Sequence, residues 1–193
     1  MKIAGQLIDI HLREIYPAEI SFDKGIITRI ARVDVAREQF ILPGFVDSHV
    51  HIESSMVTPG AFSLAAVSRG TIATVSDPHE IANVLGTEGV RFMIEDSRKV
   101  PLRFYFGAPS CVPATLFETN GAVIGHEAVE ELLALPEIRY LSEMMNFPGV
   151  VCDDPEVMSK IDAAKKHKKP VDGHAPGLKG KMLRKYISAG ITT

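Results

Sequence analysis

The stretch LPGFVDSHVHIESS, Leu42 to Ser55, decides how this chain is read. A proline-glycine break precedes a short apolar run, two histidines stand one residue apart at its end, and two serines follow. Successive side chains of a β-strand point to opposite faces, so Phe45, Asp47, His49 and His51 would share one face. A His-x-His pair so placed aims two imidazole nitrogens at one point, which suits a divalent ion of the zinc, iron or manganese kind. Surface strands also carry such pairs, so its weight depends on what surrounds it.

Outward from this stretch the pattern becomes strand, loop, helix, repeated. The apolar runs FVDSHVHI, GTIATVSDP, LRFYFGAPS, EIRYLSEMMN and KKPVDGHAP are each followed by a helical stretch, over about 58–69, 80–98, 126–135, 154–168 and 177–189. Such alternation predicts parallel strands with helical crossovers. Helix starts are marked by Thr58-Pro59 and by Asp153-Asp154-Pro155, a capping residue followed by proline at the first helical position. A sixth strand is expected to open at GITT, residues 190–193. An eight-stranded barrel of this type takes about 250 residues. The 193 residues therefore read as a (β/α)8 TIM-type barrel truncated to about five β/α units, with 43–193 supplying the first five to six. Residues 1–42 differ: AEISFDKGIITRIA predicts two short strands around the turn Asp23-Lys24-Gly25, a small β segment without helical periodicity.

Composition narrows the function classes. A net charge of -3 leaves no basic patch for nucleic acid, and the short AKKHKK run at 163–168 reads as the solvated end of a helix. No segment approaches the roughly 20 apolar residues of a membrane helix, and the N-terminus alternates where a signal peptide would be continuously apolar. The expectation is a cytoplasmic protein with neither nucleic-acid nor membrane partners. Cys111 and Cys152 form no disulfide framework and no CxxC pair.

In parallel α/β sheets functional groups gather at the C-terminal strand ends. His49 and His51 fall at the first, Asp77, His79 and Glu80 at the second, Ser110 and Cys111 at the third, Glu143 and Asn146 at the fourth, and Asp172 and His174 at the fifth. Period two puts Leu141, Glu143 and Met145 on one face, and a carboxylate inside so apolar a run is costly unless paired or metal-bound. Glu143 can bridge two metal ions, or pair with a basic residue at the rim. His174, between Gly173 and Gly177, sits where the backbone can turn sharply towards a ligand, or it serves as a cap. Asp77, His79 and Glu80 offer a direct catalytic role for His79, against the alternative that Asp77 or Glu80 caps the next helix. His11, His126 and His167 read as ordinary surface groups.

Together these segments resemble the adenine deaminase family of the amidohydrolase superfamily. LPGFVDSHVHIESSM is similar to its first metal motif, and GTIATVSDPHEIANVLG, APSCVPAT, EMMNFPGV and DGHAPGL resemble the next four strand-end segments in order. The resemblance implies a metal-dependent hydrolase barrel, preceded by part of a small β-sandwich, that deaminates adenine with water to hypoxanthine and ammonia. It implies a divalent metal, Mn2+ or Fe2+ with Zn2+ as a third option, two ions in the complete enzyme. His49, His51, Glu143 and His174 would be the metal ligands, and Glu143, His79 and Asp77 the catalytic residues. A strand-six histidine and a strand-eight aspartate of the superfamily lie beyond Thr193, so the chain alone is expected to turn over little substrate. With its last strand unpaired it is expected to form homo-oligomers. A cyclic-amide hydrolase of the dihydroorotase or hydantoinase kind is the alternative, although those commonly carry lysine where this chain has Glu143. A non-catalytic fragment is the third reading.

Overall fold

The computed structural model describes residues 1–115 and 117–192. The chain forms two compact units, Met1–Gly44 and Phe45–Thr193.

In the first unit β1 (Lys2–Asp9), β2 (Glu14–Asp23), β3 (Ile26–Arg32) and β4 (Phe40–Ile41) form one sheet in the order β3-β2-β1-β4. Lys24 and Gly25 connect β2 to β3, with φ of +48° and +80°. Left-handed values at both loop residues make the tight connection whose twist matches the flanking strands. Two strands were expected around this turn; β1 and β4 add to them. β1 alternates as a half-buried strand should, and its Leu7 packs with Tyr16, Ala18 and Ile20 of β2 in a small core. β4 has only two residues, too few to show any period.

In the second unit β5 (Phe45–Val50), β6 (Thr71–Ser76), β7 (Arg103–Pro109), β8 (Ile138–Met144) and β9 (Val171–Gly173) form a parallel sheet in sequence order. Strands that pair consecutively and in parallel need a crossover each time. The crossovers are α1 (Pro59–Val67), α2 (His79–Ser97), α3 (His126–Ala134) and the pair α4 (Phe147–Val151) and α5 (Pro155–Lys166); α6 (Gly180–Ser188) follows β9. The sheet is a curled half-barrel, the truncated TIM-type architecture expected from the sequence. Where a sixth strand was expected, Ile191 makes a single parallel bridge to Val171 and the Thr192 amide donates to the Val171 carbonyl at 3.1 Å; Thr193 lies outside the described residues.

The core lies between the sheet and the helices. Phe106, Ile138 and Leu141 from the strands meet Val90 and Met93 of α2, Leu132 and Leu133 of α3, and Ile161 and Ala164 of α5, all buried. Asp154 caps α5 by accepting from the Val157 amide, and Asn146 caps α4 by accepting from Gly149. Asn146 thus has a structural partner at a position that the sequence grouped with functional residues. Among the described residues, no helix is long and apolar enough to cross a membrane.

Candidate metal centre

Each strand of the parallel sheet delivers its polar residues at the same end. His51 follows β5, Asp77 follows β6, Ser110 follows β7, Glu143 is the penultimate residue of β8, and His174 follows β9. Chain direction alone therefore brings together groups as far apart in sequence as His51 and His174.

The Glu143 carboxylate is the hub. Its Oε1 lies 3.3 Å from His49 Nε2 and 3.2 Å from His174 Nδ1, while its Oε2 lies 3.5 Å from His51 Nε2 and 3.7 Å from His79 Nδ1. One carboxylate thus faces two pairs of imidazoles, one pair per oxygen. Glu143 is only 6% exposed. Its backbone has φ of +23°, and the pairing of β8 with β9 skips between Leu141 and Met144. Non-glycine residues hold such conformations only when their surroundings over-determine them, and such residues cluster at functional sites. The expected regular alternation of Leu141, Glu143 and Met145 is therefore broken at Glu143: a local kink, not a flat strand, presents the carboxylate.

His49 and His51 do converge, as their spacing predicts, with Nε2 atoms 3.1 Å apart. His51 Nδ1 is 3.0 Å from the Asp77 carbonyl oxygen, which favours a proton on Nδ1 and leaves Nε2 as the lone-pair donor. His79 Nδ1 hydrogen-bonds Asp77 Oδ2 at 2.9 Å. Burial works against charge on His79, but that bond and the negative charges of Asp77, Glu80 and Glu143 outweigh it, and its pKa is pushed up to about 9. Neither Asp77 nor Glu80 caps α2, whose N-terminal flanking residue is Pro78 without a side-chain cap; Glu80 Oε1 accepts instead from Ser54 Oγ at 2.6 Å.

The donors suit a divalent ion. His51, Asp77, His79 and Glu143 each offer a ligand atom within 4.8 Å of the others. Asp77 Oδ1 and Glu80 Oε2 are buried without a hydrogen-bond partner, and Glu80 Oε2 lies 3.6 Å from His51 Nδ1. Clustered carboxylates and imidazoles with orphaned oxygens are what a cation would satisfy. Of the residues singled out in the sequence, His49, His51, Asp77, His79, Glu143 and His174 all meet here. His126 instead pairs with Glu156 at 2.5 Å, and His167 ends α5.

Three contributors had no sequence signal. Glu53, in the short helical turn Ile52–Ser55, accepts from the Ile81 amide at 3.2 Å, and burial raises its pKa. Tyr140 lines a cavity of about 570 Å3 with Ser48, His49, Tyr105 and Asp172. Burial, with Asp77, Asp172 and Glu143 nearby, keeps its phenol protonated. Tyr186 of α6 donates to the Met144 carbonyl at 2.7 Å and accepts from the His174 amide at 2.9 Å.

Residues 40–193 match the amidohydrolase family. The chain is 55% identical over 193 residues to an adenine deaminase of Sulfurovum sp., covering 100% of this chain and 36% of that protein. It is 56% identical over 192 residues to an adenine deaminase of Methanosarcina mazei, covering 100% of this chain and 35% of that protein. The chain thus spans about a third of the length of the curated relatives it matches. Among solved structures, atrazine chlorohydrolase TrzN from Arthrobacter aurescens complexed with zinc superposes with a TM-score of 0.66 at 16% identity, over 97% of this chain and 58% of that one. A 5-methylcytosine deaminase from Klebsiella pneumoniae superposes at 0.55 with 14% identity, over 98% of this chain and 55% of that one. At these identities the two structures speak for the fold.

Proposed function

Because the chain belongs to the amidohydrolase family, we propose that the protein of which it forms part is a divalent-metal-dependent aminohydrolase converting adenine and water to hypoxanthine and ammonia. The observation that carries this is the Glu143 carboxylate with His49 and His174 on one oxygen and His51 and His79 on the other, in a chain that resembles adenine deaminases along its whole length.

His49, His51, Glu143 and His174 are the residues proposed to hold metal, with manganese or iron suggested by the resemblance and zinc compatible with the same donors. When bound, such an ion lowers the pKa of water from 15.7 to about 7 in favourable sites and so provides a nucleophile at neutral pH. The chain's own residues supply position and proton traffic. Glu143 fixes the spacing of the two histidine pairs. His79, hydrogen-bonded to Asp77, holds a proton at the rim of the site, where a departing amine needs one to leave as ammonia. A groove of about 410 Å3, lined by Pro113, Phe117, Met145 and Phe147 among others, opens beside the end of β8 and offers apolar and aromatic surface to a planar ring. Glu143 also favours this reading over a cyclic-amide hydrolase, which commonly has lysine at that strand end. Homo-oligomer formation belongs to the same proposal, and the mass of the full-length protein in light scattering tests it.

The test is ammonia release by the full-length protein loaded with Mn2+, with adenine, dihydroorotate and hydantoin offered in parallel. Turnover of adenine is expected. Turnover of the cyclic amides alone would overturn the proposal.

A further inference from the structure

Two buried side chains grip the backbone at the end of β8, and a third holds the peptide that carries one of them. Ser110 Oγ donates to the Glu143 carbonyl at 2.7 Å. The Tyr186 hydroxyl donates to the next carbonyl, that of Met144, at 2.7 Å, and accepts from the His174 amide at 2.9 Å. Lys160 Nζ of α5 donates to the carbonyls of Ser110 and Ile124, each at 2.9 Å. Ser110 is 2%, Tyr186 3% and Lys160 8% exposed, so none of these bonds competes with bulk water.

The bonds fall where the backbone most needs them. Glu143 is the residue with φ of +23° in a strand whose register skips at that point, and a conformation of this kind persists only when several contacts hold it. Hydroxyls from two different elements capture its carbonyl and the following one. The phenol that holds Met144 also holds the His174 amide, and Glu143 Oε1 and His174 Nδ1 stand 3.2 Å apart. Tyr186 therefore ties the ends of β8 and β9 together directly beneath two side chains of the metal centre.

We propose that Ser110 and Tyr186 are positioning residues that hold Glu143 and His174 in register for a divalent ion, with Lys160 fixing the peptide that carries Ser110. This rests on the metal reading of the site given above. Partners behind metal ligands commonly contribute ten- to a hundredfold in affinity.

The test compares Ser110→Ala and Tyr186→Phe with the wild type in the full-length protein, stripped of metal by a chelator and titrated with Mn2+ by calorimetry, the bound ion being followed by electron paramagnetic resonance. Ser142→Ala is the control. Its hydroxyl is fully buried and donates to the Ala108 carbonyl at 2.9 Å, a bond of the same kind one residue before Glu143 but not to it. We expect Mn2+ affinity to fall about ten- to a hundredfold in Ser110→Ala and Tyr186→Phe, with a metal-free melting temperature no lower than that of Ser142→Ala. The control should keep its Mn2+ affinity. Wild-type affinity in both variants, or an equal loss in the control, would overturn this inference alone. If Ser110→Ala does not fold, Tyr186→Phe decides. A wild type that takes up no Mn2+ would overturn the metal reading and this inference with it.

Discussion

Replacing Glu143 by glutamine probes the centre with the least disturbance to its shape. Glu143 is 6% exposed and stands in the chain between fully buried Ser142 and Met144, and glutamine keeps its volume and removes only the charge. Four imidazole nitrogens lie 3.2 to 3.7 Å from its two oxygens. At an effective dielectric constant of about 20, unit charges about 4 Å apart attract by about 4 kcal/mol. The glutamine carbonyl dipole returns part of this. Changes to groups behind a metal ligand cost about ten- to a hundredfold in affinity, and loss of a direct carboxylate ligand belongs at or above the upper end of that range.

We therefore expect Glu143→Gln to weaken Mn2+ binding about a hundredfold or more, about 2.8 kcal/mol, measured by competition with a chelator of known affinity. Adenine turnover should fall with it. The metal-free variant should unfold at a lower denaturant concentration than the wild type, because the Glu143 charge is among those that favour protonated His79 and removing one partner of a buried charge pair is destabilising. An Mn2+ affinity close to that of the wild type, within about threefold or 0.7 kcal/mol, would refute the placement of the carboxylate between the two histidine pairs as the basis of binding. A metal-free variant that fails to fold would show that Glu143 serves the architecture before it serves an ion.

Two further outcomes follow from the geometry. His79 has a folded pKa raised from 6.5 to about 9, so its contribution to the metal-free protein is fully present below about pH 6.5 and is lost as pH rises through 9, worth at most about 3 kcal/mol. Denaturant unfolding of the metal-free protein near pH 6 and above pH 9 measures it; Asp77→Asn should flatten the dependence, and a wild type already flat across that window would refute the His79–Asp77 pairing. Gly107 in β7 leaves no room for a side chain, since a Cβ there would stand 2.6 Å from Ser142 Cβ and 2.7 Å from Tyr140 Cζ. Gly107→Ala should cost about 1–3 kcal/mol by thermal unfolding, and an unchanged melting temperature would refute the close approach of β8 to Gly107.

What could be read from the sequence, and what could not, divides along a physical line. The parallel strands and their crossovers were legible because each strand is a short apolar run closed by a helix start; the run ending in Pro109 and the Asp154-Pro155 start are examples. The gathering of His49, His51, Asp77, His79, Glu143 and His174 at one end followed from strand direction alone, and needed no knowledge of side-chain geometry. The conformation that presents Glu143 was not legible. Period two assumes a regular strand, whereas this residue sits in a kink with φ of +23°, and neither Ser142 nor Met144 is a residue type that announces one. Tyr186 was hidden for a different reason. It looks like one more apolar position of α6, and its use as a hydrogen-bond hub depends on a Met144 carbonyl 42 positions away and a His174 amide 12 positions away. Side chains that could face an ion sit next to strands and are visible as motifs; the groups that hold them reach in from other elements through backbone atoms, which carry no sequence signal. The kink at Glu143 needs both kinds at once: Ser110 stands at a strand end to which the sequence already pointed, whereas its bond to the Glu143 carbonyl and the part played by Tyr186 come from the folded chain.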